Sequence, residues 1–192
     1  MPREPTAHLR TDPALTPLVE EHGPLDLDPA ADPFRRLVVS LTRQQVSMAA
    51  ADAIEKRLFD AVEVSPEGLL TAEESTLREV GLSRQKVEYV RAVARAWRER
   101  GYGRTSFEGM DDDAVVAELT DIHGVGDWTA KMFLLFALGR EDVFPVEDLG
   151  VRRGMEQVCG REMTRGEMRE RAEAWRPYRS YASRYLWRAY EG

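Results

Sequence analysis

A chain of 192 residues, 43% of them hydrophobic, is long enough to bury a substantial core, and it fits one domain or two interleaved lobes better than two independent domains. Its one cysteine, Cys159, excludes an internal disulfide, a thiolate zinc site and a four-cysteine iron–sulfur cluster, and His8, His22 and His123 are too scattered to form a metal cage. The 27 basic and 34 acidic residues leave a net charge of -7, which taken alone argues against a polyanionic partner.

Lysine occurs only at Lys56, Lys86 and Lys131, so almost all positive charge is arginine. An acidic, lysine-poor composition suits either a protein working in concentrated salt or an ordinary acidic mesophilic surface. In the first case the screening length shrinks to roughly 3 Å at 1 M, net repulsion matters little, and recognition rests on short-range geometry. No apolar stretch approaches membrane-spanning length, and Met1-Pro2-Arg3-Glu4 lacks the layout of a secretory signal, so a cytoplasmic protein is expected.

Residues 1–33 are proline-rich, with Pro13, Pro17, Pro24, Pro29 and Pro33, and read as loop wrapped around the core with one helix near Leu15 to His22. From Phe34 the apolar positions Phe34, Leu37, Val38 and Leu41 recur at helical spacing. After the polar break Arg43-Gln44-Gln45-Val46, Ser47 is placed to cap a helix that buries Ala50, Ala53, Ile54 and Leu58. Ser65-Pro66 opens another helix, and Thr71-Ala72-Glu73-Glu74 reads as a capping box. Gly81 ends that short helix, and Ser83 opens a longer one carrying Val87, Val90, Ala94 and Trp97. The acidic residues Asp111 to Asp113 suit the positive end of a helix running to Leu119. Beyond Asp148, Thr164-Arg165-Gly166-Glu167 is a second capping box, starting a helix to Trp175 that Pro177 interrupts. The chain closes on Tyr181, Tyr185 and Trp187 alternating with Arg179, Arg184 and Arg188. Helical signals dominate throughout, and an all-α domain of about nine or ten short helices is predicted.

Two stretches carry the most information. In Leu119-Thr120-Asp121-Ile122-His123-Gly124-Val125-Gly126-Asp127-Trp128-Thr129-Ala130, a helical run ends at a Gly-x-Gly turn that opens a second helix. Backbone N–H groups then point outward at a helix N-terminus, the geometry that an anion such as a DNA phosphate requires; this is a helix-hairpin-helix signature. In Val143-Phe144-Pro145-Val146-Glu147-Asp148-Leu149-Gly150, a carboxylate stands just beyond a Pro-bearing loop. Asp148 is a candidate catalytic group, or else the N-cap of the helix that follows.

Together with Leu41-Thr42-Arg43-Gln44-Gln45-Val46-Ser47, Gly81 to Tyr89, and Ala174-Trp175-Arg176-Pro177-Tyr178-Arg179-Ser180-Tyr181-Ala182 through Trp187, these stretches resemble the 3-methyladenine-DNA glycosylase II branch of the helix-hairpin-helix (HhH-GPD) DNA glycosylase superfamily. The resemblance covers about residues 32–188. It implies a single domain over residues 1–192, with the hairpin at 113–138, folded as a compact two-lobed helical body with the active-site cleft between lobes. Compared with fuller bacterial members, the chain is expected to lack an amino-terminal sheet domain.

The implied function is that of a monofunctional enzyme, working as a monomer on double-stranded DNA in base excision repair and associated with the nucleoid when bound. It flips a damaged purine of the 3-methyladenine type and hydrolyses its N-glycosidic bond. A glycosylase for deaminated or mismatched bases, or a non-catalytic hairpin module that only holds DNA, are the alternatives. The resemblance makes Asp148 the catalytic carboxylate and not its neighbour Glu147, because the family's acid precedes the following Leu. Gly124, Val125, Gly126 and Thr129 grip a backbone phosphate. The backbone carbonyls of Thr120, Ile122 and Val125 map to a monovalent cation site, although His123 replaces the usual proline. No other cofactor is expected.

Trp128 occupies the position of the Schiff-base lysine of the lyases in this superfamily, and Lys131 lies three residues further on, so no strand-nicking activity is expected. Trp128 and Trp187 are candidate walls of a pocket for a cationic alkylated base, an attraction of about 0.5–2 kcal/mol, or else ordinary core aromatics. Gln44 and Gln45 lie where relatives fill the gap left by the extruded nucleotide, or form a simple polar turn. Arg84, Lys86, Arg179 and Arg184 are possible phosphate contacts.

Overall fold

The computed structural model describes residues 4–103 and 105–192; Met1 to Arg3, part of the expected amino-terminal wrap, lie outside them. Among the described residues there are twelve α-helices, one 3-10 turn and no strand, so the all-α expectation holds with more and shorter helices than predicted. The chain divides into two compact units, one of residues up to Pro29 together with Gly139–Gly192, the other Ala30–Leu138.

The first unit begins with α1 (Glu4–Leu9) and α2 (Thr16–His22), where only one helix and a loop are expected. Pro17 falls in the first turn of α2, where a missing N–H costs nothing, so this proline starts a helix and does not break one. Leu9, Leu15 and Val19 are fully buried among Met155, Trp175, Tyr185 and Leu186, so the amino-terminal segment contributes core to this unit and does not merely wrap it.

The second unit contains α3 (Pro33–Arg43), α4 (Met48–Ala61), α5 (Pro66–Thr71), α6 (Glu74–Glu79), α7 (Arg84–Glu99), α8 (Asp112–Thr120) and α9 (Asp127–Phe136). Side chains of Asp32, Ser47, Ser65, Ser83 and Asp111 each accept a backbone N–H and start α3, α4, α5, α7 and α8. The inward face of α4 is Ala51, Ile54 and Leu58, while Ala50 and Ala53 are exposed, so the apolar stripe is narrower than the sequence suggests. The capping box expected at Thr71 does not form: Thr71 ends α5 and its hydroxyl donates back to the Glu67 carbonyl, leaving Glu73 to begin α6 without a side-chain cap. Trp97 packs against Phe34, Phe107 and Phe133 at ring separations of 5.5, 6.0 and 6.1 Å, filling the centre of this unit.

Back in the first unit follow α10 (Leu149–Cys159), α11 (Arg165–Ala172), a 3-10 turn (Glu173–Trp175) and α12 (Arg179–Glu191). Thr164 and Glu167 form the predicted capping box, and α10 ends at Gly160 in the left-handed conformation, φ 67°. Helix α10 packs chiefly on α12.

A charged cluster ties the amino-terminal helices to this core. Arg171 reaches both carboxylate oxygens of Asp12 at 2.6 Å, and the Trp175 indole N–H donates to Asp12 Oδ2 at 2.9 Å. The Asp12 side chain is only 11% exposed. Burial alone would push its carboxyl up, but the hydrogen bonds from Arg171 and Trp175 and the guanidinium charge together hold it below the usual carboxylate range. A depressed folded-state pKa stabilises the fold above the unfolded value, near 3.9, and that contribution is lost as pH falls through the lowered folded value. Asp12→Asn is therefore expected to cost about 2 kcal/mol at pH 7, with the gap to wild type narrowing below pH about 4, as read by denaturant unfolding across that range.

Candidate active site

Asp148 owes its place to the loop before it and the two helices beside it. Ser180, at the start of α12, accepts the Val143 N–H at 2.9 Å and donates to the Arg140 carbonyl at 2.6 Å. Arg179 Nε and Nη2 fork onto the two carboxylate oxygens of Asp142 at 2.7 and 3.1 Å. The Pro-bearing loop is thus fastened to α12 from both sides. It closes in a turn in which the Asp148 N–H donates to the Pro145 carbonyl at 2.9 Å.

The Asp148 side chain, half-buried, directs Oδ1 to two donors: the Val151 N–H at 2.9 Å and the Trp187 indole N–H at 2.8 Å. The residue is therefore the N-cap of α10, and one of its oxygens performs that task while also holding the indole. Leu149 beside it is 52% exposed, an apolar side chain left at the surface next to the carboxylate. Glu147 instead lies 3.8 Å from Arg169. Trp187 is half-buried at the edge of the first unit's core, so it serves both packing and the carboxylate. Arg179 is 16% exposed and committed to Asp142 and Glu173, which removes it from the phosphate candidates.

The hairpin and the α3–α4 turn belong to the second unit. The chain leaves α8 at Thr120 and reaches α9 through residues 121–126, with the Val125 N–H donating to the Ile122 carbonyl at 3.0 Å. Gly124 has φ +93°, and a Cβ there would lie 2.2 Å from the Tyr89 ring, so both conformation and space demand glycine. His123, in place of the family's proline, sets its ring edge-on to Tyr89 at 5.1 Å. Tyr89 is the hairpin support that the sequence did not single out, because its place on α7 makes it look like an ordinary helix residue. Helix α9 begins at the exposed Gly126, which offers no side chain to cap it. The side chains of Ile122 and Val125 are buried, so these two residues offer a ligand only their main-chain groups. Trp128 is half-buried in the first turn of α9.

Two predicted contacts are used differently. Gln44 turns inward, its amide donating to the Gly124 carbonyl at 3.1 Å and the Thr129 hydroxyl at 2.8 Å. Thr129 is 1% exposed, so its hydroxyl meets Gln44 and not a phosphate. Gln44 is thus a tie between the α3–α4 turn and the hairpin, because a half-buried amide is costly without partners and the hairpin supplies two. Gln45 is exposed and holds φ 56°, a left-handed backbone uncommon for a residue with a side chain. Val46 and the 60%-exposed Met48 stand beside it, apolar groups that the sequence reading had not placed in the site. Lys86 donates to the Thr42 carbonyl at 2.7 Å, close to the end of α3, and burial pushes its ammonium pKa down. Arg84 lies 3.7 Å from Glu88 on the exposed side of α7.

Among the described residues no cluster of three or more His, Cys, Asp or Glu side chains is placed to hold a metal ion, and no helix is long and apolar enough to cross a membrane.

The chain is similar to proteins of known structure and family. The Bacillus subtilis (strain 168) protein YfjP is 28% identical over 191 residues, spanning 93% of this chain and 66% of YfjP, so the chain covers just under two thirds of that relative's length. The structure of Schizosaccharomyces pombe 3-methyladenine DNA glycosylase (Mag1) in complex with abasic DNA superimposes with a TM-score of 0.89 at 26% identity, over 96% of this chain and 95% of Mag1. That of a DNA-3-methyladenine glycosidase from Bacillus halodurans gives a TM-score of 0.81 at 34% identity, over 98% and 90% of the two chains. Residues 38–179, taking in the Gln44 turn, the hairpin and the Asp148 loop, match the family described as HhH-GPD superfamily base excision DNA repair protein, and the chain belongs to that family.

Proposed function

We propose that the chain is a monofunctional DNA glycosylase that extrudes an alkylated purine, of the 3-methyladenine type, from duplex DNA and hydrolyses its N-glycosidic bond. The observation that carries this reading is the Asp148 carboxylate, half-buried and oriented through Oδ1 by two hydrogen bonds. The names of Mag1 and the Bacillus halodurans enzyme, and the abasic DNA bound to Mag1, support the substrate class.

The chemistry follows from charge. As the glycosidic bond breaks, positive charge builds on C1′ and the sugar ring oxygen. A carboxylate about 4 Å away stabilises it by roughly 4 kcal/mol at an effective dielectric near 20, about three orders of magnitude in rate. We assign this task to the Asp148 carboxylate, which the Val151 N–H and the Trp187 indole hold through Oδ1. A purine alkylated at N3 or N7 is cationic, takes the bonding electron pair and departs neutral, so no acid is needed. Water adds its oxygen to C1′ and passes a proton to the Asp148 carboxylate.

The second unit holds the duplex. Main-chain N–H groups of Gly124 and Gly126 and the opening of α9 bind a backbone phosphate, the Val125 N–H being taken by the Ile122 carbonyl, and Gln45 with Val46 and Met48 fills the space left by the extruded nucleotide. The Thr120, Ile122 and Val125 carbonyls are oxygen donors suited to a hard monovalent cation, which when bound would neutralise part of the phosphate charge there. Trp128 and Trp187 supply electron-rich faces for a cationic base. Trp128 stands where lyases of the superfamily carry their lysine, so the reaction stops at the abasic site.

Incubation with DNA carrying methylated purines is expected to release free 3-methyladenine with wild type, and about a thousandfold more slowly with Asp148→Asn, while abasic-DNA affinity is kept. DNA binding without base release by wild type would instead identify a binding module. The abasic product is expected to stay intact until alkali is added, and borohydride to trap no protein–DNA adduct; a trapped adduct would point to a lyase. Gln45→Gly relieves a left-handed backbone and is expected to raise stability by up to about 1 kcal/mol while slowing base release, measured by unfolding and single-turnover kinetics in parallel.

A further inference from the structure

We infer that Gly150 is a positioning residue for the Asp148 carboxylate: the missing side chain at this place is what lets the Trp187 indole reach Oδ1. The inference rests on the assignment of Asp148 made above.

Gly150 lies in the first turn of α10, with no positive φ to require glycine. On backbone grounds alanine would do better there, being the stronger helix former. Space explains the residue. A Cβ on Gly150 would sit 2.8 Å from Trp187 Cδ1, 3.2 Å from Trp187 Nε1 and 3.2 Å from Asp148 Oδ1. Both partners of the 2.8 Å hydrogen bond thus flank the point that a methyl group would occupy.

The strain could not be absorbed by a shift of α12. One turn along α10, a Cβ on Gly154 would lie 2.0 Å from the Leu186 carbonyl oxygen, which places the two helix backbones in direct contact. Leu186, which makes that contact and precedes Trp187, and Tyr185 before it are buried in the same core. The half-buried indole is the part able to move, and it would swing off the carboxylate. Asp148 would still cap α10 through Val151 but lose the indole N–H from Oδ1. The two glycines therefore differ in purpose, Gly154 permitting the helix crossing and Gly150 the hydrogen bond.

The test uses Gly150→Ala, Trp187→Phe and the double variant. Gly150→Ala is expected to slow single-turnover release of methylated purine by roughly ten- to a hundredfold, the range for a hydrogen bond to a charged group, with abasic-DNA affinity within about twofold. Since Trp187→Phe already lacks the indole N–H, adding Gly150→Ala to it is expected to cost less than about twofold more. An unchanged rate in Gly150→Ala, or losses that multiply in the double variant, would overturn the inference.

A second readout is independent of catalysis. The Trp187 indole N–H resonance, assigned by its disappearance in Trp187→Phe, is expected to move upfield in Gly150→Ala and also in Asp148→Asn, the latter a measurement that does not need Gly150→Ala to fold. A resonance that stays in place in both variants overturns the inference. A wild type that releases no base would sink the glycosylase reading, while the resonance would still decide whether Gly150 governs the contact.

Discussion

One carboxylate oxygen, Oδ1 of Asp148, has to meet a backbone N–H from α10 and an indole N–H from α12 at the same time, at 2.9 and 2.8 Å. That requirement fixes much of the first unit. The start of α10 must lie beside the part of α12 that carries Trp187, which the glycine contacts on α10 allow. The loop ahead of Asp148 must end in register, which Ser180 and Arg179 secure by holding residues 140–143 to the start of α12. Helix capping and site geometry are usually weighed as rival explanations of an aspartate after a loop; here the cap is the device that orients the acid.

The second unit solves a comparable problem with polar ties and one glycine. Gly124 lets the hairpin backbone lie against the Tyr89 ring, and the Gln44 amide bonds the hairpin carbonyl and the α9 hydroxyl together. The turn that presents Gln45 is therefore anchored to the hairpin by its immediate neighbour. An exposed left-handed residue costs on the order of 1 kcal/mol and persists only where its surroundings hold it, and Gln44 on one side with the Ser47 cap on the other provide that hold.

Charge is used locally. Much of the arginine in the first unit faces its own carboxylates: Arg171 meets Asp12, and Arg176 and Arg179 meet Asp142 and Glu173. These pairs fasten loops and helix ends and leave little for a broad basic field, in keeping with a net charge of -7. The DNA recognition proposed above relies on main-chain donors and shape, which act at hydrogen-bond range and do not depend on the sign of the whole surface.

Local chemistry was legible along the chain. The caps at Ser47, Ser65, Ser83 and Thr164, the acidic start of the helix at Asp111 to Asp113, the hairpin glycines and the acid at Asp148 could be read because each depends on residues within one turn of itself. What failed locally failed for a nearby reason: the Thr71 box lost to a helix already ending there, and α1 went unread in a proline-rich stretch, while α2 lies where a helix near Leu15 to His22 is expected. The direction in which Gln44 points, the burial of Thr129, the support from Tyr89 and the meeting of Gly150, Trp187 and Asp148 were decided only in three dimensions. Each joins residues separated by tens of positions, and hydrogen bonds and steric exclusion act over a few ångströms of space, a distance that sequence spacing does not encode.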